Sequence, residues 1–211
     1  MTGLCGGEWA SGCPPAAEGL GIDLEPRRLE EARRRAPARG LADRASFEAR
    51  DARHLTQPTD AVVCIGASQV WGPPVEAAQP LDYAAALFAL RDLLRPGGRL
   101  VYGEAVWSGP PTPAATAALS GRDDEYLRVD ALVALAQGHG FTVAGVGEAG
   151  QDERDDFESG FVRRLERWLA AHAADHPDAP AVREQLRAQG ARYLDGYRGV
   201  LGMAYLTLVA C

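Results

Sequence analysis

Apolar positions along the chain come in two kinds of run. Short, nearly continuous runs at 20–23, 61–65, 99–103, 141–146 and 200–209, with an alternating one at 45–49, predict β-strands. Between them lie stretches with helical spacing. Leu29, Ala32 and Ala36 form the stripe of a helix that opens at Glu25-Pro26, where proline is tolerated and an acid favours the helix dipole, and that closes at Pro37 and Gly40. Ala86, Leu87, Leu90 and Leu94 line a helix over 83–94, and a further helix covers 129–137. Phe157, Phe161, Leu165, Trp168 and Leu169 mark a helix over 155–174, and Pro177 and Pro180 separate it from another over 181–198. Strand and helix alternate through the first half, which predicts a parallel sheet with helices on both faces. A helical excursion over 152–198 then precedes the last strand. No repeat or linker interrupts the pattern, so 1–211 reads as one domain.

The strand ends carry the candidate chemistry. The first strand stops at Asp23, the second at Asp51, the third at Cys64-Ile65-Gly66 and the fourth at Glu104. In a parallel α/β sheet the crevice beyond the carboxyl ends of the strands is where ligands bind, and an acid there accepts hydrogen bonds from ribose hydroxyls. Run 61–65, apolar throughout, has the character of a central parallel strand. Arg95-Pro96-Gly97-Gly98 reads as a turn between helix and strand, and the proline-rich 109–113 as a loop over the site. The first 18 residues are the least regular, with Cys5-Gly6-Gly7 as a glycine-rich turn.

Charge and composition narrow the function. A net charge of −7 leaves no basic stripe for nucleic-acid phosphates. The chain contains no lysine, which excludes a lysine Schiff base. No apolar run spans a membrane, and no basic-then-apolar leader opens the chain. The four cysteines are scattered, as expected of free thiols in a reducing cytoplasm. His172 and His176 have no evident third partner, so no metal site is expected.

The order Cys5-Gly6-Gly7-Glu8-Trp9, Gly21-Ile22-Asp23, Ala49-Arg50-Asp51-Ala52, Asp60 to Cys64 and Leu93-Leu94-Arg95-Pro96-Gly97-Gly98-Arg99-Leu100 resembles the successive motifs of class I S-adenosylmethionine-dependent methyltransferases, most closely the small-molecule type common in bacteria. The resemblance covers about residues 3–107 by motif and the remainder by layout. It implies an α/β, Rossmann-like, mostly parallel doubly wound sheet, with the family's first strand missing and the last strand antiparallel. It also implies S-adenosyl-L-methionine as cofactor. Gly6 and Gly7 would let the backbone approach the methionine part, and Asp23 would accept the ribose hydroxyls. Leu24 would pack on adenine, Asp51 and Ala52 would hold the adenine edge, and Cys64 and Gly66 would line the sulfonium. On the acceptor side the expectations are Glu104 as base or ammonium-binding acid, with Ser68, Gln69, Trp71 and Trp107 at the pocket. Partners would be a small-molecule acceptor, with neither nucleic acid nor membrane, in a monomer or homodimer. The shortened glycine region leaves room for a different reading, a cofactor-free relative serving as an interaction module. A nicotinamide-dependent enzyme also matches Asp23 but needs an intact G-x-G-x-x-G.

Overall fold

The computed structural model describes residues 17–73 and 80–211, and the chain divides into two compact units, Met1–Pro58 and Thr59–Cys211. In the first unit β1 (Gly19–Asp23) and β2 (Ala45–Ala49) pair in parallel, Gly19 opposite Ala45 through Asp23 opposite Ala49. The connection is α1 (Pro26–Arg35), capped by Glu25, whose side chain accepts the Arg27 N–H at 3.2 Å. Leu29, Ala32 and Ala36 are its buried positions, as the spacing requires. Gly21 has a steric reason: a Cβ there would lie 2.7 Å from Cδ1 of Phe47 on the neighbouring strand. The glycine lets that ring lie across β1.

The second unit is built on a four-stranded sheet in the order β3-β4-β6-β5. β3 (Thr59–Ile65) is parallel to β4 (Leu94–Trp107), and β6 (Leu201–Ala210) runs antiparallel to both β4 and β5 (Phe141–Glu148). The last strand is antiparallel, as expected, within a mixed, mostly parallel α/β architecture of the Rossmann-like kind. Leu100, Tyr102 and Val106 of β4 alternate with residues of the opposite face, and with Ala204, Leu206 and Leu208 of β6 they form the main core. Two helices contribute to that core: α2 (Tyr83–Asp92) supplies Leu87 and Leu90, and α4 (Val129–Gly138) supplies Leu132 and Ala136. On the other face Gly103 admits the Tyr205 ring, which a Cβ would meet at 2.9 Å, while Val63 is 54% exposed. A second cluster joins Trp107, Ala115 of α3 (Pro113–Ala118), Tyr193 and Tyr197.

Several expectations change. The described strands fall into two sheets rather than one. Strand 61–65, expected at the centre, pairs with β4 alone among the described residues, because nothing in its apolar character specifies how many neighbours it has. The Pro-Gly-Gly segment is a bulge inside β4: Thr59 lies opposite Leu94 but Ala61 lies opposite Arg99. Gly97 takes φ 77°, and a Cβ on Gly98 would sit 2.9 Å from the Arg95 carbonyl oxygen. The helical excursion is α5 (Gln151–Ala171) and α6 (Ala179–Ala191), and the chain then widens into one π-helical turn, Arg192–Tyr197. Gly6 and Gly7 lie outside the described residues.

Candidate functional site

In the first unit Asp23 ends β1 and stands at the turn into α1. Its Oδ1 accepts the Glu25 N–H at 2.8 Å, while Oδ2 has only a 3.4 Å contact with Nη1 of Arg28. One carboxylate oxygen is therefore held firmly and the other loosely, in a side chain that is 29% exposed. Leu24 beside it is 69% exposed. An acid with acceptor capacity next to an uncovered apolar side chain suits a ligand with hydroxyls and a flat apolar face.

Asp51 ends the following loop and is engaged differently. It caps the short turn Ala52–His54 by accepting the Arg53 N–H at 2.9 Å, and the Arg53 guanidinium closes on both its oxygens, with Nη2 at 2.6 Å. Hydrogen bonds from the Arg53 side chain, then from its backbone, hold the Asp51 carboxyl down at about 2. Its hydrogen-bonding capacity is largely spent on Arg53. The sequence reading missed this lock, because an Asp-x-Arg spacing closes on itself only when the turn dihedrals bring the two side chains together.

In the second unit the segment after β3 is fastened to the tip of β4. Gly66, at φ 61°, donates its N–H to the Gly103 carbonyl at 2.8 Å. Glu104 is 5% exposed, and its oxygens accept two backbone N–H groups, Ser68 at 3.1 Å and Ala105 at 2.9 Å. Ser68, fully buried, pairs its hydroxyl with that of Tyr102 at 2.5 Å. The Tyr83 hydroxyl donates to the Ala105 carbonyl at 2.6 Å and accepts the Leu127 N–H at 3.3 Å. Burial raises the pKa of both tyrosines, and the Glu104 charge adds to it. Burial likewise pushes the Cys64 thiol up to about 11, so it is a neutral apolar group at physiological pH. Tyr83 and Tyr102 were not singled out from the sequence, because a tyrosine in an apolar run looks like core until its hydroxyl partner is known.

The three acceptor-side candidates are placed differently. Gln69 is exposed and turns its amide back to the Gly66 carbonyl at 3.3 Å. Trp71 packs against the main core with its Nε1 buried, and among the described residues only the Cys64 thiol stands near as an acceptor. Trp107 is 3% exposed, donates Nε1–H to the Asp123 carbonyl at 2.8 Å and meets Tyr126 edge-on. Its indole is thus occupied by protein on every side that matters for packing. No cluster of three or more metal-binding side chains occurs among the described residues.

Residues 2–98 match the family model of a methyltransferase domain. The chain is similar to a S-adenosylmethionine-dependent methyltransferase from Thiobacillus denitrificans solved in complex with S-adenosyl-L-homocysteine. The two are 30% identical with a TM-score of 0.77, over 92% of this chain and 76% of that one. A counterpart from Geobacter sulfurreducens, also solved with S-adenosyl-L-homocysteine, is 29% identical with a TM-score of 0.79, over 92% and 76%. The uncharacterised protein YjhP of Escherichia coli is 28% identical over 196 residues, 91% of this chain and 75% of that protein. With its acid-tipped parallel strands and its antiparallel last strand, the chain belongs to the class I S-adenosylmethionine-dependent methyltransferases.

Proposed function

We propose that this methyltransferase, acting as a single domain, moves a methyl group from S-adenosyl-L-methionine to a small-molecule acceptor. The observation that carries the reading is the end of β1, where Asp23 keeps one loosely held oxygen beside the exposed Leu24. These two residues fit the ribose and the adenine face of an adenosyl group. Asp51 and Ala52 serve the adenine edge, for which Arg53 has to yield part of its hold. Cys64 and Gly66 serve the methionine end, where a neutral thiol and a side-chain-free residue crowd a sulfonium least; Gly6 and Gly7 are assigned there by the family resemblance. When bound, the cofactor supplies a methyl group already activated for in-line displacement.

The chain's own part is alignment and, where the acceptor carries a proton, its removal. Glu104 is the candidate base: each oxygen accepts one backbone N–H and retains capacity for one further bond. Gln69 and Trp71 face the acceptor in this reading, and the Trp71 indole N–H, which has no oxygen or nitrogen acceptor among the described residues, is its donor. Trp107 is the third residue assigned to the acceptor side. The excess of acids disfavours polyanionic acceptors such as nucleic acids, and no helix among the described residues is long and apolar enough to cross a membrane. Free thiols at Cys64 and Cys211 suit the cytoplasm, and a monomer or homodimer suffices for the chemistry.

Calorimetric titration with S-adenosyl-L-homocysteine tests the proposal. The wild-type chain should bind saturably, and Asp23→Ala should weaken binding by about tenfold or more, because a charge-assisted hydrogen bond is worth roughly 1.5–3 kcal/mol. Equal binding by both proteins would remove Asp23 from the site. Absence of binding by the wild type would overturn the reading.

A further inference from the structure

Beyond the methyl-transfer chemistry, the helical excursion contains a cavity of about 440 Å³ between α5 and the α6 end. On α5, Asp155, Glu158, Ser159 and Val162 follow the i, i+3, i+4, i+7 spacing that puts side chains on one helix face. The facing wall is Gln189, Gly190, Tyr193 and Leu194, with Arg198 behind.

The two acids on this face are not equivalent. Asp155 is clamped by Arg198, whose Nε and Nη2 reach its oxygens at 2.9 and 2.7 Å, so its charge is compensated. Glu158 accepts only neutral donors, the Tyr197 hydroxyl at 3.0 Å and the Gln189 amide at 2.9 Å. Among the described residues no cationic side chain pairs with it. The cavity is therefore left one negative charge in excess, beside apolar surface from Val162, Leu194 and the Tyr193 ring.

The backbone is arranged around the same space. Gly190 sits inside α6, where glycine is a poor helix former, yet a Cβ there would meet nothing within 4 Å. Omitting that side chain keeps the cavity open. The π-helical turn Arg192–Tyr197 follows at once, an insertion of a kind often found at binding sites. It turns both tyrosine hydroxyls toward the α5 acids, Tyr193 to Asp155 and Tyr197 to Glu158.

We propose that this cavity binds a small amphipathic organic cation, an ammonium group on a short alkyl or aryl body, with Glu158 as its counter-charge. The Tyr193 ring supplies an electron-rich face for the cation, and Val162 and Leu194 cover its apolar body. The proposal does not depend on cofactor binding, so its success or failure leaves the methyl-transfer reading untouched.

Titration of the full chain with hexylammonium, with 1-hexanol and hexanoate as neutral and anionic probes of equal length, tests it by calorimetry and amide NMR. Hexylammonium should bind saturably, about tenfold or more tighter than hexanol, as expected for a charged hydrogen bond. Perturbed amides should include Glu158 and Gly190. Glu158→Gln should bring hexylammonium to the level of hexanol, and Gly190→Leu, which fills the space, should abolish binding of both. Equal affinity of hexanol and hexylammonium for the wild type would reduce the cavity to an apolar hollow and overturn the proposal. So would no saturable binding at millimolar hexylammonium, or binding unchanged by Gly190→Leu. Should Glu158→Gln fail to fold, the wild-type probe comparison and Gly190→Leu decide the matter.

Discussion

Two carboxylates, Asp51 and Glu104, show how environment separates residues of the same type. Asp51 is held at about 2 by Arg53, against an ordinary value near 3.8. A depressed folded value means its contribution to stability is fully present above the ordinary value and is lost as pH falls through about 2. An NMR titration of the Asp51 carboxyl carbon should give a midpoint near 2, and Arg53→Gln, which keeps the backbone hydrogen bond, should raise it part of the way to the ordinary value. Glu104 is buried, with backbone N–H groups on both oxygens. Glu104→Ala orphans two buried donors and should cost about 1–3 kcal/mol in urea unfolding. Glu104→Gln keeps the shape and one acceptor but sets its NH2 against the other backbone donor, so it should cost less stability than Glu104→Ala while kcat falls and KM for the acceptor changes little. That split identifies a group acting in the transition state. Asp23 and Glu104 were legible because each is a lone acid at the end of an apolar run. The Asp51–Arg53 chelate and the Ser68–Tyr102 hydroxyl pair were not, since one depends on turn dihedrals and the other joins positions 34 residues apart.

Among the secondary-structure elements, α6 and its π-helical continuation carry two glycines with opposite demands. Gly190 faces open space, whereas a Cβ on Gly196 would lie 2.6 Å from Cβ of Ala118. Gly190→Ala should stabilise the chain by about 0.5–1 kcal/mol, the difference in helix cost between the two residues. Gly196→Ala should destabilise it by about 1–3 kcal/mol, the range for overpacking. Urea midpoints of the two variants, displaced in opposite directions, check both. Element type was largely readable from periodicity: α1, α2, α4, β2, β5 and β6 fall close to the predicted ranges. The bulge in β4 and the π-helical turn were not readable. Each inserts residues without changing the apolar spacing on either side, and the glycines that permit the bulge also look like an ordinary turn.

Across the whole molecule, stability should be uneven. The four-stranded sheet has fully buried positions on β4 and β6, whereas among the described residues the first unit has two paired strands that rest on Leu29, Ala32 and Ala36. A two-stranded sheet is marginal unless a helix packs on it. Native-state hydrogen exchange should therefore release the amides of β1 and β2 well before those of β4 and β6. Comparable protection in both would show that the units open together. The division into units and, among the described residues, the pairing of β3 with β4 alone were beyond a sequence reading, because strand neighbours are chosen by long-range packing that local apolarity does not encode. The antiparallel β6 has one more implication, for biogenesis. Since residues 201–210 fill the slot between β4 and β5, among the described strands β5 has no partner and β4 has only β3 until this segment clears the ribosomal exit tunnel. Nascent chains stalled before Leu201 should bind chaperones and resist compaction, and a stop codon there should yield an insoluble product.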